Sequence, residues 1–119
     1  MRLLVLMADA DLDAWEQASA AEREEVFAQH AAFDQAVRDR GSMLGGEALA
    51  GPDQARTLRP GARDRVLTAG PYAETAEQLG GFYLVDLDSV ETALELCRLL
   101  PPSYSVEVRP VIELEDPAG

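Results

Sequence analysis

The chain of 119 residues suits one hydrophobic core, so a single domain is predicted over residues 1–119. No apolar run approaches the roughly 20 residues of a membrane-spanning helix, which argues against a membrane protein. Ten arginines against 22 acidic residues give a net charge of -12, and a surface this negative disfavours binding to nucleic acid. The single cysteine, Cys97, excludes an intrachain disulfide and fits a cytoplasmic location.

The N-terminal third of the chain predicts a strand and a long helix. Arg2 to Ala8 is an almost continuously apolar run, typical of a strand buried on both faces. Ser19 stands three residues before Glu22, a capping-box spacing that predicts a helix over Ala20 to Arg40. The predicted buried stripe of this helix consists of Val26, His30, Phe33 and Val37.

The next elements are a strand and a turn. Gly41 is a plausible end for the first helix. Ser42 to Leu49 then predicts a strand in which Gly45-Gly46 indicates a bulge or a close backbone approach. Gly51-Pro52-Asp53 predicts a turn.

The middle of the chain predicts a hairpin and a central strand. Arg56 to Arg59 and Arg65 to Thr68 flank Pro60-Gly61, so they are expected to form a mostly polar β-hairpin at a sheet edge. Gly80 to Asp86 places apolar side chains on both of its faces, which predicts an internal strand.

The C-terminal part predicts a helix and a last strand. Asp88 or Ser89 can cap a helix that runs through Leu99 to the stop at Pro101. Its predicted buried stripe consists of Val90, Ala93, Leu94 and Cys97. Ser105 to Leu114 alternates as a strand should, and residues 116–119 are expected to form a frayed tail.

This order of elements predicts an α+β, ferredoxin-like βαββαβ fold with a β-hairpin insertion. Two helices cover only one face of such a sheet. The other face would expose apolar side chains, drawn from Leu3, Val5, Tyr83 and Val85. Because a large exposed apolar face is unstable in water, a second copy is expected to cover it, giving a homodimer of the dimeric α/β-barrel type.

The segment from Thr68 to Asp86 reads TAGPYAETAEQLGGFYLVD and resembles the YCII-related family. The similarity is closest to the branch named for a D-G-P-F motif followed by AET-KEQLGGFYL. Gly45-Gly46-Glu47 and the run from Val106 to Pro110 agree as well. The resemblance implies a dimeric α+β fold over almost the whole chain. Two charged positions of the motif are lost, because Ala69 replaces its Asp and Ala76 its usual Lys.

The resemblance does not name one reaction. Some relatives remove a leaving group from a hydroxylated aromatic ring, and others are encoded beside sigma-factor genes. Catalytic relatives pair a helix histidine, at a spacing similar to that of His30, with an aspartate near the end of the second helix. This chain has Leu100-Pro101-Pro102 there, so Asp34, one turn after His30, or a glutamate across the sheet is a candidate replacement.

His30 is the one histidine of the chain and the first candidate catalytic group. Imidazole titrates near neutrality and suits general acid–base work, whereas the alternative role is that of a hydrogen-bonded core residue. Glu74 follows a Gly-Pro turn and is the second catalytic candidate; alternatively it caps a short helical turn at Thr75 to Leu79. Glu47 is a weaker candidate of the same kind.

Tyr72 and Tyr83 could hold an aromatic or cyclic ligand, and the alternative is a place in the core or the dimer interface. We expect no metal and no cofactor. The leading hypothesis is a lyase, isomerase or dehydratase in which His30 and Glu74 act on an oxygenated metabolite, for instance an aromatic or polyketide-like one. Glu47, Tyr72, Asp34 and Tyr83 would bind this small-molecule ligand. The alternative is a non-catalytic dimer that binds a ligand or a partner protein in a regulatory, sigma-factor-associated context.

Overall fold

A computed structural model describes residues 1–11, 13–73 and 75–114, so the predicted tail at 116–119 lies outside it. The fold is α+β. Its elements, in chain order, are β1 (Arg2–Asp9), α1 (Ala14–Gln17), α2 (Ala20–Arg40), β2 (Ser42–Ala48), a 3-10 turn (Pro52–Gln54), β3 (Arg56–Arg59), β4 (Val66–Ala69), β5 (Gln78–Asp86), α3 (Val90–Cys97) and β6 (Ser105–Pro110). None of the helices in these residues has the length and apolarity needed to cross a membrane.

Four strands form an antiparallel sheet in the order β2-β5-β1-β6. Strands β3 and β4 form the predicted hairpin, but as a separate two-stranded sheet and not at the edge of the larger one. Strand β1 lies between β5 and β6, and Leu3 pairs with Val85 while Val5 pairs with Tyr83. Leu3, Val5 and Val85 are fully buried. They form one core with Phe33 and with residues of α3, so α2 and α3 cover this face of the sheet.

The opposite face of the sheet carries a second set of apolar side chains. Successive residues of a strand point to opposite faces. The register of β1 and β5 pairs Leu4 with Leu84 and Leu6 with Phe82, so these four side chains share that face. We expected it to draw on Leu3, Val5, Tyr83 and Val85. That expectation was wrong, because Leu3, Val5 and Val85 are packed under the helices and Tyr83 packs against Phe33 of α2.

Helix α2 begins and ends at the residues that the sequence predicts. The Ser19 hydroxyl accepts a hydrogen bond from the Glu22 backbone amide, and the Glu22 carboxylate accepts one from the Ser19 amide. Both bonds satisfy amides that have no partner within the helix. At the other end, the Gly41 amide donates to Val37 O at 2.7 Å.

Two predictions for the C-terminal part were wrong in detail. Helix α3 buries Thr92, Ala93, Leu96 and Cys97, whereas Leu94 is 47% exposed. Strand β6 ends at Pro110, beyond which Ile112 and Leu114 are 79% and 87% exposed. The strand stops because its neighbour β1 begins at Arg2, whose carbonyl accepts the last bond, from Val111 N–H.

Candidate functional site

A cavity of about 1380 Å³ opens beside the N-terminal half of α2, at the end of the sheet where β1 and β2 finish. Side chains from several elements line it: Trp15, Phe27, His30, Tyr83 and Tyr104 are its aromatic and imidazole groups. Helix α2, the first half of strand β5 and the loop before β6 therefore line the same cavity. A cavity of this size accommodates a small molecule.

The imidazole of His30 lies between two tyrosine hydroxyls in this cavity. Its Nδ1 is 2.7 Å from the Tyr83 hydroxyl, and its Nε2 is 3.1 Å from the Tyr104 hydroxyl. Both distances are those of hydrogen bonds. Each ring nitrogen therefore has a phenolic partner, and three side chains that are distant in sequence form one network.

Burial holds this network in its uncharged form. His30 is half-buried, and the loss of hydration lowers the pKa of its imidazole. Burial raises the pKa of Tyr83, and the nearby charge of Asp34 and the Tyr104 hydroxyl raise it further. The pKa of Tyr104 is also raised, by burial and by Asp9. At neutral pH the structure thus presents a neutral imidazole between two protonated phenols.

The two tyrosine hydroxyls have opposite hydrogen-bonding roles toward His30, one as donor and one as acceptor. A neutral imidazole has one N–H donor and one nitrogen acceptor. One hydroxyl must donate to the bare nitrogen, while the other accepts from the ring N–H and keeps its own proton free to donate elsewhere. The network can therefore accept a proton at one end and release one at the other, with the imidazole passing it between them.

Gly46 allows the Tyr83 ring to take its position. Strand β2 has a register shift between Met43 and Gly45, so the predicted bulge is confirmed, and Gly46 pairs with Tyr83. A Cβ at position 46 would overlap the Tyr83 ring and would lie 2.9 Å from Phe82 O. On its other side the Tyr83 ring packs against Phe33, with 5.0 Å between centroids. The missing side chain at Gly46 is thus what leaves room for the ring.

The short helix α1 supplies an aromatic wall at the cavity mouth. Trp15 packs edge-on against Phe27, with ring centroids 5.3 Å apart. The Arg23 guanidinium lies 5.0 Å from the centre of the Trp15 ring and donates to the backbone carbonyls of Trp15 and Glu16. Trp15 is nevertheless 41% exposed and Phe27 63% exposed. Both rings can therefore contact a ligand that enters the cavity or a partner that covers its mouth.

The structure brings some of the predicted site residues together and separates others. His30 and Tyr83 are in direct contact. Glu47 borders the same cavity, but it pairs with Phe82, so its side chain points to the sheet face opposite Tyr83. Asp34 Oδ2 accepts a hydrogen bond from Arg38 at 2.9 Å, and the ring nitrogens of His30 contact the two tyrosines instead.

Tyr72 is the predicted residue that lies apart from this network. Tyr72 is 82% exposed and borders a separate space of about 800 Å³ next to the hairpin. Glu74 falls outside the described residues. The helical turn predicted at Thr75 to Leu79 does not form, because strand β5 already begins at Gln78. The role of Glu74 stays a prediction.

Sequence reasoning missed Tyr104, the second partner of His30. The resemblance implies an acidic partner near the end of the second helix, whereas Tyr104, two residues after Pro102, is a neutral phenol. The Tyr104 amide donates to Pro101 O, so the turn that ends α3 also sets the position of this side chain. The signal that could have found it is a polar aromatic residue between a helix stop and the last strand.

The charges around the cavity are of one sign. Among the described residues, seven acidic side chains and no arginine border it. Asp11, Asp13 and Glu16 come from the segment before α2, and Asp53 comes from the turn after β2. No group of three possible ligands that could hold a metal ion occurs within residues 1–11, 13–73 and 75–114.

Two comparisons with known proteins show what this chain is similar to. The family model of the YCII-related domain matches residues 1–115. An uncharacterized protein of Rhizobium meliloti (strain 1021) is 48% identical over 61 residues, which cover 48% of this chain and 49% of the relative. The aligned part therefore spans about half of each protein.

Proposed function

The chain belongs to the YCII-related family, and from the network around His30 we propose that it is a small-molecule enzyme that works without a cofactor. The reaction is of the lyase, isomerase or dehydratase type. Its substrate is an oxygenated metabolite, and the aromatic wall of Trp15 and Phe27 favours one with a flat apolar part. The observation that carries this proposal is the imidazole held between two phenols inside a cavity.

In this reaction the imidazole of His30 acts as a base. When the tyrosine hydroxyl that donates to its bare nitrogen turns to the substrate oxygen, that nitrogen takes a proton from the carbon beside the carbonyl group. The C–H electron pair becomes a C=C bond, and the π pair of the C=O bond moves to the oxygen. A tyrosine hydroxyl stabilises the developing negative charge by donating a hydrogen bond. The proton then returns to a different carbon in an isomerase, or leaves with a substrate hydroxyl as water in a dehydratase.

The lowered pKa of His30 supports the role of base. Imidazole must be neutral to accept a proton, and burial keeps it neutral at physiological pH. The raised pKa values of Tyr83 and Tyr104 keep both phenols protonated, so that they can donate. The three groups are thus in the protonation states that this chemistry requires.

A second candidate function is a non-catalytic binding module in a regulatory context. It is favoured by the fact that both ring nitrogens of His30 already have hydrogen-bond partners. In that case the network only shapes the cavity wall, and a ligand binds without being changed.

The proposed assembly is a cytoplasmic homodimer with a ferredoxin-like fold of the dimeric α/β-barrel type. The strand order β2-β5-β1-β6, with both longer helices on one face, supports it. The opposite face carries Leu4, Leu6, Phe82 and Leu84, and pairing with a second copy removes these side chains from water. Sedimentation of the wild type at micromolar concentration tests the homodimer, and a monomer there contradicts it.

The enzyme hypothesis is tested with a panel of hydroxylated cyclic ketones in D2O, followed by NMR for exchange of protons beside the carbonyl and for loss of water. The wild type is expected to convert or exchange a member of the panel, and His30→Gln to lower the rate by about 10² to 10⁴. Gln35→Ala, an exposed change on the same helix, serves as the matched control. Equal rates for wild type and His30→Gln would eliminate His30 as the base. Binding of a panel member without conversion favours the binding module.

A further inference from the structure

The β3–β4 hairpin exposes an apolar pair. Leu58 and Leu67 lie directly opposite each other in its register and are 57% and 63% exposed. The hairpin forms its own two-stranded sheet, and at its base Gly70 N–H donates to Ala55 O, which joins its two arms. Isolated two-stranded hairpins are marginally stable in water. An apolar pair on such an element therefore indicates a surface that packs against something else.

The hairpin is the basic part of an acidic protein. Residues 56–65 contain four of the ten arginines and one of the 22 acidic residues, which gives them a net charge of +3. The rest of the chain, with six arginines and 21 acidic residues, has a net charge of -15. Arg59 is used internally, since it donates to Thr68 and to the carbonyl of Tyr72. Arg56, Arg63 and Arg65 are exposed.

The mouth of the His30 cavity has the complementary properties. Seven acidic side chains and no arginine border the cavity among the described residues, and Asp13 and Glu16 are exposed there. Trp15 and Phe27 add an exposed apolar surface beside these carboxylates. The mouth thus combines negative charge with apolar rings, as the hairpin combines positive charge with an apolar pair.

We propose that the hairpin of one copy docks on the mouth of the His30 cavity of a second copy, so that each site is completed by its partner. The arginines of the hairpin meet the carboxylates of the mouth, and Leu58 and Leu67 cover Trp15 and Phe27. The hairpin does not line the cavity of its own chain. A second copy is the occupant because the same chain supplies both complementary surfaces, and a two-fold axis uses both pairs at once.

This inference rests on the homodimer proposed above and is tested by exchanging charges between the two surfaces. The hairpin variant is Arg63→Glu/Arg65→Glu, and the mouth variant is Asp13→Arg/Glu16→Arg. A control, Arg40→Glu/Arg98→Glu, makes the same change of net charge as the hairpin variant at exposed positions elsewhere. Sedimentation equilibrium gives the dimer dissociation constant, and native mass spectrometry identifies mixed dimers. Circular dichroism checks that each variant is folded.

Each charge variant alone is expected to dimerise at least about tenfold more weakly than the control, because like charges then face each other at both contacts. Mixing the two variants is expected to restore tight association as a heterodimer, in which both contacts again join opposite charges. High salt should also raise the dissociation constant of the wild-type dimer, because it screens the attraction between the opposite charges.

The outcomes separate this inference from the proposed homodimer. A wild-type protein that stays monomeric overturns both. A wild-type dimer whose affinity is the same in the hairpin variant and the control, or a mixture that forms no heterodimer, overturns only the docking of the hairpin.

Discussion

His30 Nδ1 lies 2.7 Å from the hydroxyl of Tyr83, a residue on the central sheet that is 53 positions away in sequence. This contact links helix α2 to strand β5 across the cavity. The second contact of His30, with Tyr104, links the same ring to the loop before β6. The imidazole is therefore part of the packing between helix and sheet and at the same time lines the cavity.

The titration of His30 can be followed directly by NMR. It is the one histidine of the chain, so all histidine ring signals come from it. Because burial disfavours the imidazolium, we expect a pKa below the roughly 6.5 of an unperturbed histidine. NMR of the ring C–H groups against pH measures it. In 8 M urea the pKa should return to the unperturbed value. A native pKa at or above that of the unfolded chain contradicts the neutral network.

The same shift predicts how stability depends on pH. The folded pKa of His30 is lower than the unfolded one, so between the two values the unfolded chain binds more protons. The free energy of unfolding should therefore decrease as the pH falls through about 6.5, and level off below the folded pKa. Urea unfolding at several pH values gives the free energy of unfolding of wild type and of His30→Gln. The difference between the two at each pH isolates the contribution of His30. Parallel pH profiles for the two proteins argue against it.

Gly46 is predicted to control the position of Tyr83. In Gly46→Ala the new methyl group overlaps the Tyr83 ring, so the ring or strand β2 must move. We expect a loss of about 1–3 kcal/mol, as for other overpacked sites, and a change in the NMR signals of the His30 ring. Gly45→Ala is the matched control, because a Cβ there has no neighbouring atom within 4 Å. Similar effects of both substitutions would show that the ring is not held by this contact.

The features that sequence predicts well are those decided by neighbouring residues. The capping box joins Ser19 and Glu22, three positions apart, and it placed the start of α2 correctly. The bulge near Gly45 and the β3–β4 hairpin also depend on residues close in the chain. In these cases the interacting groups are visible together in one short segment.

The faces of the sheet and the second partner of His30 depend on distant residues instead. Strand β1 is apolar at every position from Leu3 to Leu6, so alternation reveals two faces without telling which of them meets the helices. The contact between His30 and Tyr104 spans 74 positions and uses a neutral side chain, which carries no charge pattern to indicate its partner. Tertiary packing decides which face of the sheet meets the helices and which residue contacts His30.

Helix α3 shows the same ambiguity and supplies a direct test. The sequence predicted a buried stripe through Leu94, whereas the structure buries Leu96. The structure buries Thr92, whose Oγ1 accepts a hydrogen bond from Ser89 at 3.0 Å, so this polar group is satisfied in the core. Leu96 is 8% exposed as a result, against 47% for Leu94.

Leu96→Ala is therefore expected to lower the free energy of unfolding by about 2–5 kcal/mol, the usual range for a buried leucine. Leu94→Ala should stay within about 0.5 kcal/mol, because its side chain keeps much of its contact with water in the folded state. Urea unfolding of both variants at one protein concentration measures the difference, and a fixed concentration keeps any association constant. A larger loss for Leu94→Ala would mean that the helix is rotated relative to the sheet, with the stripe predicted from the sequence facing the core.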